Sequence, residues 1–214
     1  MIGGGQQEQN KISVGGSNLL TAPNPGDTAS ESDIRSRLIR VVNYGHPALR
    51  KKADEVLIIN PFDRILIEDM MDVVASFPAL GLAAPQLGHN KRIIVVNTIT
   101  KVIPIINPVL AEISTEESSM TEGCMSILGA TEDILRPSAV RVVGLDSDFR
   151  EVSYEWEGML AHVVQHEIDH LNGIMMVDHL KEYKRNKMLK THRKFIRDHH
   201  MPVHSYKVIT KTTA

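Results

Sequence analysis

The sequence predicts an α+β fold, and three observations carry that reading. Four short runs rich in β-branched residues fill the middle of the chain: 92–97, 102–107, 140–146 and 151–158. Segments of helical periodicity bracket them on both sides. Strands and helices do not alternate regularly, which argues against a parallel doubly wound sheet.

Taken in order, residues 1 to about 33 are rich in Gly, Ser, Asn, Gln and Asp and show no periodicity. They are expected to be a disordered extension. Order is expected from 34 onward, where Leu38, Ile39, Val41 and Val42 cluster. The stretch 44–56 carries Gly-His-Pro and reads as a turn or irregular segment. Asn60 and Pro61 have the residue types of an N-cap and first helical position. Ile65, Ile67, Met70, Met71 and Val74 follow at mostly helical spacing. The four strand-like runs come next. Pro104 inside the second one predicts an edge strand or a bulge. Residues 158–173 form a helix closed by Asn172-Gly173, and a further helix covers about 179–199. The expected division is an extension over 1–33, one domain over 34–200 and a tail over 201–214.

The 214 residues and 42% hydrophobic content suit a single globular domain. A formal charge of −2 points to no polyanionic partner such as DNA. Cys124 is the one cysteine, so no intramolecular disulfide can form and a reducing compartment fits. No apolar run reaches the roughly 18 residues needed to cross a membrane. The N-terminal stretch lacks a basic n-region and a long apolar core. A cytoplasmic protein is the expectation.

The segment "VVQHEIDHLNG" (163–173) holds His166, Glu167 and His170 in an otherwise apolar helix. At about 100° per residue, His170 lies about 40° from His166, with Met159 and Val163 beside them. Leu160, Val164, Ile168 and Leu171 gather on another face. The helix thus has a core stripe and a separate reactive face, with Glu167 at the border. Two imidazoles one turn apart grip a metal, and the adjacent carboxylate reaches a metal-bound water. A third ligand is needed. His179 downstream does not fit the extended zincin patterns; Cys124 in "TEGCMSILG" is the other candidate. A buried free cysteine is the alternative.

Three segments occur in order: "GLAAPQLG" (81–88), "EGCMS" (122–126) and "QHEIDHLNG" (165–173), with "YGHPALRKKADEV" upstream. Together they resemble the peptide deformylase family over roughly 36–195. The resemblance implies antiparallel or mixed sheets packed around a central helix that carries the His-Glu-x-x-His motif. It implies Cys124, His166 and His170 as ligands of one divalent metal, Fe(II) being expected and Zn, Ni or Co able to substitute. Glu167 would be the general base, and Gln86 and the Met125 backbone N–H the oxyanion donors. Gly81 and Leu82, with Met159 and Val163 from the helix face, would border the substrate. That substrate would be the N-formylmethionyl end of a nascent polypeptide. His162 either lines the mouth of the pocket or is a satisfied histidine with no role, and the second reading is preferred. Asp169 is expected to pair with Arg136 and tie the Cys124 loop to the metal helix.

Ala79, Leu128 and Thr131 depart from the family pattern. They put peptide preference in doubt and leave open a non-catalytic ribosome- or metal-binding relative; a metallopeptidase is the other alternative. Residues 181–200 hold eight Lys or Arg against two acids. This is a solvated helix face or, as the family implies, a ribosome-docking segment.

Overall fold

The computed structural model describes residues 34–213, so the expected disordered extension over 1–33 lies outside the described residues. Asn60 and Pro61 start α1 (Pro61–Ser76) as their residue types require. The Asn60 side chain accepts from the Asp63 N–H, and the Asp63 carboxylate accepts from the Asn60 N–H, both at 3.1 Å. This reciprocal pair satisfies two orphan donors of the first turn. Leu66, Ile67, Met70, Val73 and Val74 form the buried face. Ile65, expected on that face, is instead 49% exposed; Leu66 and Val73 take the stripe.

The central sheet runs in the order β2 (Gly81–Ala83), β3 (Ile93–Asn97), β4 (Val102–Ile113), β7 (Ala139–Leu145), β8 (Glu151–Glu157). Every registered pair in it is antiparallel. Strand β3 is apolar on both faces because both are covered. Ile93 and Val95 join the core beneath α1, while Ile94 and Val96 join the core beneath α2 (Met159–Leu171). The period-2 alternation of a strand produces this division. Pro104 lies in β4, which is internal to the sheet. Pairing of β4 with β7 begins only at Ile106, so Pro104 faces β3 alone and occupies a local edge. Val164, Ile168 and Leu171 of α2 pack on the sheet as the helical angles predict; Ala161 joins them, and Leu160 packs against the cluster only partly buried. The helix ends at Asn172, with Gly173 in the left-handed region (φ 74°).

Two features were not foreseen. Residues 117–137 form a separate antiparallel hairpin of β5 (Glu117–Cys124) and β6 (Ile127–Pro137). The segment 201–214, expected to be a tail, contains β9 (Ser205–Thr213). It pairs antiparallel with β1 (Ile34–Val42). Its alternation explains this: Tyr206, Val208 and Thr210 are buried, and the first two join the core under α1. The predicted last helix is α3 (Glu182–Asp198), which packs Met188 and Leu189 into a third cluster with Ile127 and Ile134 of β6. Among the described residues no helix is long and apolar enough to cross a membrane.

Candidate metal centre and hydrolytic site

The β5–β6 hairpin presents Cys124 to the histidine face of α2. One donor atom each from Cys124, His166 and His170 lies within 4.8 Å of the other two. The Cys124 Sγ is 3.3 Å from His170 Nε2. A tetrahedral ion bound at normal S and N distances would hold such atoms about 3.5 Å apart, so the donor set fits. Burial keeps the His170 ring well below its ordinary value, in the neutral form that ligates metals. Burial also opposes a charge on His166, but hydrogen bonding to Cys124 and Glu122 overrides it and raises that ring well above 6.5.

Sequence reasoning gave Glu122 no role. Its Oε2 is 2.9 Å from His166 Nδ1, which leaves Nε2 of that ring as the donor available to a cation. Its Oε1 lies 3.2 Å from His162 Nδ1, and Ser118 Oγ meets His162 Nε2 at 2.9 Å. His162 is therefore satisfied at both ring nitrogens, and it also lines the cavity beside this site, so both readings of it are met. Arg136, only 4% exposed, donates to both Glu122 oxygens at 2.7 and 3.1 Å and to Asp169 Oδ2 at 2.7 Å. His179 meets the same Asp169 oxygen at 2.8 Å. Burial opposes the Glu122 charge, yet the hydrogen bonds from His166 and Arg136 hold its carboxyl far below the usual range. The expected Arg136–Asp169 pair is present as one part of this larger network. The signal for Glu122 was available: it stands two residues before Cys124 on one strand, hence on the same face.

Glu167 is 4% exposed, and burial raises its carboxyl to about 7. Gly81 makes room for it. A Cβ on Gly81 would lie 2.6 Å from Glu167 Oε1 and 2.9 Å from Val163 Cγ1. The close approach that a glycine at this position permits is to α2, and Gly81 also lines the cavity where substrate is expected. Gln86 is buried too. Its Oε1 accepts from the Ala83 N–H at 2.8 Å, which turns Nε2 toward Cys124 Sγ at 3.6 Å.

These groups open on a cavity of about 680 Å³. Gly81, Met125, Met159 and Val163 line it, as do the three family departures Ala79, Leu128 and Thr131. Leu82 does not line it. Its side chain is fully buried in the core with α1, because alternation along β2 points it away from the cavity.

Comparison with known proteins agrees with this geometry. The polypeptide deformylase family model matches residues 38–186. A peptide deformylase of Carboxydothermus hydrogenoformans is 42% identical over 139 residues, covering 65% of this chain and 91% of that protein. One from Chlorobaculum parvum is 37% identical over 161 residues, covering 72% and 86%. Among solved structures, a peptide deformylase from Legionella pneumophila superposes with a TM-score of 0.73 at 33% identity, covering 76% of this chain and 97% of its own. A match over most of the described fold, centred on the residues that converge here, means that the chain belongs to the polypeptide deformylase family.

Proposed function

We infer that the protein is a metal-dependent hydrolase that removes the N-formyl group from the terminal methionine of newly made polypeptides, releasing formate. The observation that carries this is the convergence of Cys124, His166 and His170 beside Glu167 in a cavity walled by apolar residues. A divalent ion on those three ligands would lower the pKa of a water at the open fourth position. Fe(II) is the ion we expect; Zn, Ni or Co suits the same donors.

Glu167 takes the proton of the attacking water as it adds to the formyl carbon, and later delivers it to the departing amine. In the metal-free protein burial raises this carboxyl to about 7, and the same dry setting favours proton exchange in both directions. The Gln86 Nε2 and the Met125 N–H are the donors for the developing oxyanion. Met159 and Val163 wall the methionine side chain. A peptidase reading is disfavoured because His179, its candidate downstream ligand, is turned to Asp169.

Purified anaerobically with Fe(II) or Ni(II), the protein should release formate from a formyl-Met peptide and leave the unformylated peptide intact. Amide cleavage of the latter, or no reaction with either, would overturn this reading.

We place the reaction in the cytoplasm, on chains leaving the ribosome. Exposed Lys181, Lys187, Lys190 and Arg193 on and beside α3 would supply phosphate contacts. Ribosome binding should then weaken steeply with salt, and should be lost when these four residues are changed to Glu.

A further inference from the structure

The family match ends at residue 186, yet the described fold continues to 213. That later segment touches the cavity wall just past Cys124. On α3, His192 Nδ1 donates to the Leu128 carbonyl at 3.1 Å, and Phe195 lies where a Cβ on Gly129 would come within 2.4 Å of its ring. On β9, the Tyr206 hydroxyl donates to the Met125 carbonyl at 2.9 Å. From the other side the Tyr44 N–H donates to the Ser126 carbonyl at 2.7 Å. Separate elements thus hold this loop by its backbone.

The Tyr206 contact differs from the others in what lies across the peptide. The Met125 carbonyl and the Ser126 N–H belong to one planar unit. The Ser126 N–H donates to Cys124 Sγ at 3.4 Å. The sequence of contacts is therefore Tyr206 hydroxyl, Met125 carbonyl, Ser126 N–H, Cys124 sulfur. A hydrogen bond to the carbonyl fixes the plane of this amide and polarises its N–H. Tyr206 is 6% exposed, and burial pushes its phenol up, so it stays a neutral donor.

We propose that Tyr206 is a positioning residue for the metal centre, acting through the Met125–Ser126 peptide to aim a backbone N–H at the Cys124 thiolate. Strand β9 is then part of the working site rather than a terminal ornament. The proposal rests on Cys124 being a ligand, as the deformylase reading requires. Hydrogen bonds around a ligand tune it and set its orientation.

Tyr206→Phe removes the hydroxyl and keeps the ring. Val208→Ala, on the same strand and in the same core, is the control for general loosening. Both are loaded with Co(II), and the thiolate-to-cobalt charge-transfer band is recorded; Ni(II) affinity is measured by chelator competition. Loss of a hydrogen bond raises the energy of the sulfur electrons, so Y206F should move the band to longer wavelength. Its Ni(II) affinity should weaken about threefold to tenfold, the equilibrium equivalent of one neutral hydrogen bond. V208A should lower thermal stability and leave the band in place. An unmoved band in Y206F, or the same shift in V208A, overturns the role of Tyr206. No thiolate band in the unmutated protein overturns the ligand assignment and this proposal together. Neither readout uses a formylated substrate, so failure of deformylase activity registers separately.

Discussion

Glu167, the proton carrier of the proposed reaction, is also a source of instability at this site. Its Oε2 is buried without a hydrogen-bond partner, and Gly81 is pressed against its other oxygen. Burial raises its carboxyl to about 7 from an ordinary 4.5. In the metal-free protein the folded state therefore holds a proton up to about pH 7, while the unfolded chain releases it near 4.5. This group weakens folding progressively as pH rises through that window, by about 3 kcal/mol once above it. Glu167→Gln removes the effect. Denaturation of the two metal-stripped proteins should show E167Q gaining on the wild type between pH 5 and pH 8; a difference that does not vary with pH would contradict the assignment. With metal bound, E167Q should lose about 10² to 10⁴ in kcat as the proton carrier disappears. Gly81→Ala reaches the same carboxylate by another route. Its methyl must displace Oε1 or the helix behind it, so kcat should fall about 10² while the metal content per chain stays near that of wild type.

Between elements, the decisive link is the one joining the β5–β6 hairpin to α2. The hairpin is a sheet of its own, and Arg136 on β6 clamps Glu122 on β5 and Asp169 on α2 at once. Arg136→Ala strands two carboxylates, one of them buried, and should cost about 3–5 kcal/mol. Asp169→Ala leaves the Arg136–Glu122 fork in place and should cost clearly less, though it should still lower metal retention. Urea denaturation and metal analysis of both variants check the order, and equal losses would show that the network does not centre on Arg136. The pairing of Arg136 with Asp169 was legible in the sequence only through family resemblance, because nothing local joins residues so far apart. The helices and the β-branched strands were legible from periodicity and caps. The hairpin was not: "ESSMTEGC" exposes polar residues on one side and carries small ones near its turn, so it lacks the apolar alternation of a core strand. Strand β9 was missed for a different reason. Its alternation is present, but its partner β1 lies at the other end of the chain, and sequence windows do not register such pairing. Leu82 was misassigned because the motif names a backbone neighbourhood, while the strand's pleat decides where each side chain goes.

At the scale of the whole molecule, the candidate metal site lies where the hairpin meets α2, beside the hydrogen bonds that already join them. Its donors come from a two-stranded hairpin and from a helix whose apolar stripe belongs to the five-stranded sheet. An ion bound to the folded state and not to the unfolded chain adds stability that grows with its free concentration over Kd, about 4 kcal/mol at a thousandfold excess. It also offsets the burial penalty of Glu167, so its removal should be felt more strongly above pH 7 than below. A strong chelator should therefore lower Tm by many degrees at pH 8 and by fewer at pH 5.5. Cys124→Ser should abolish most of that chelator dependence at either pH, because a serine hydroxyl is a poor substitute for a thiolate ligand. The Arg136 network and the contacts of α3 and β9 to residues 125–129 remain in the stripped protein. They should keep the hairpin attached, so the transition should stay cooperative and single by circular dichroism and by Trp156 fluorescence. Two separated transitions after chelation would mean that the ion alone docks the hairpin on the helix.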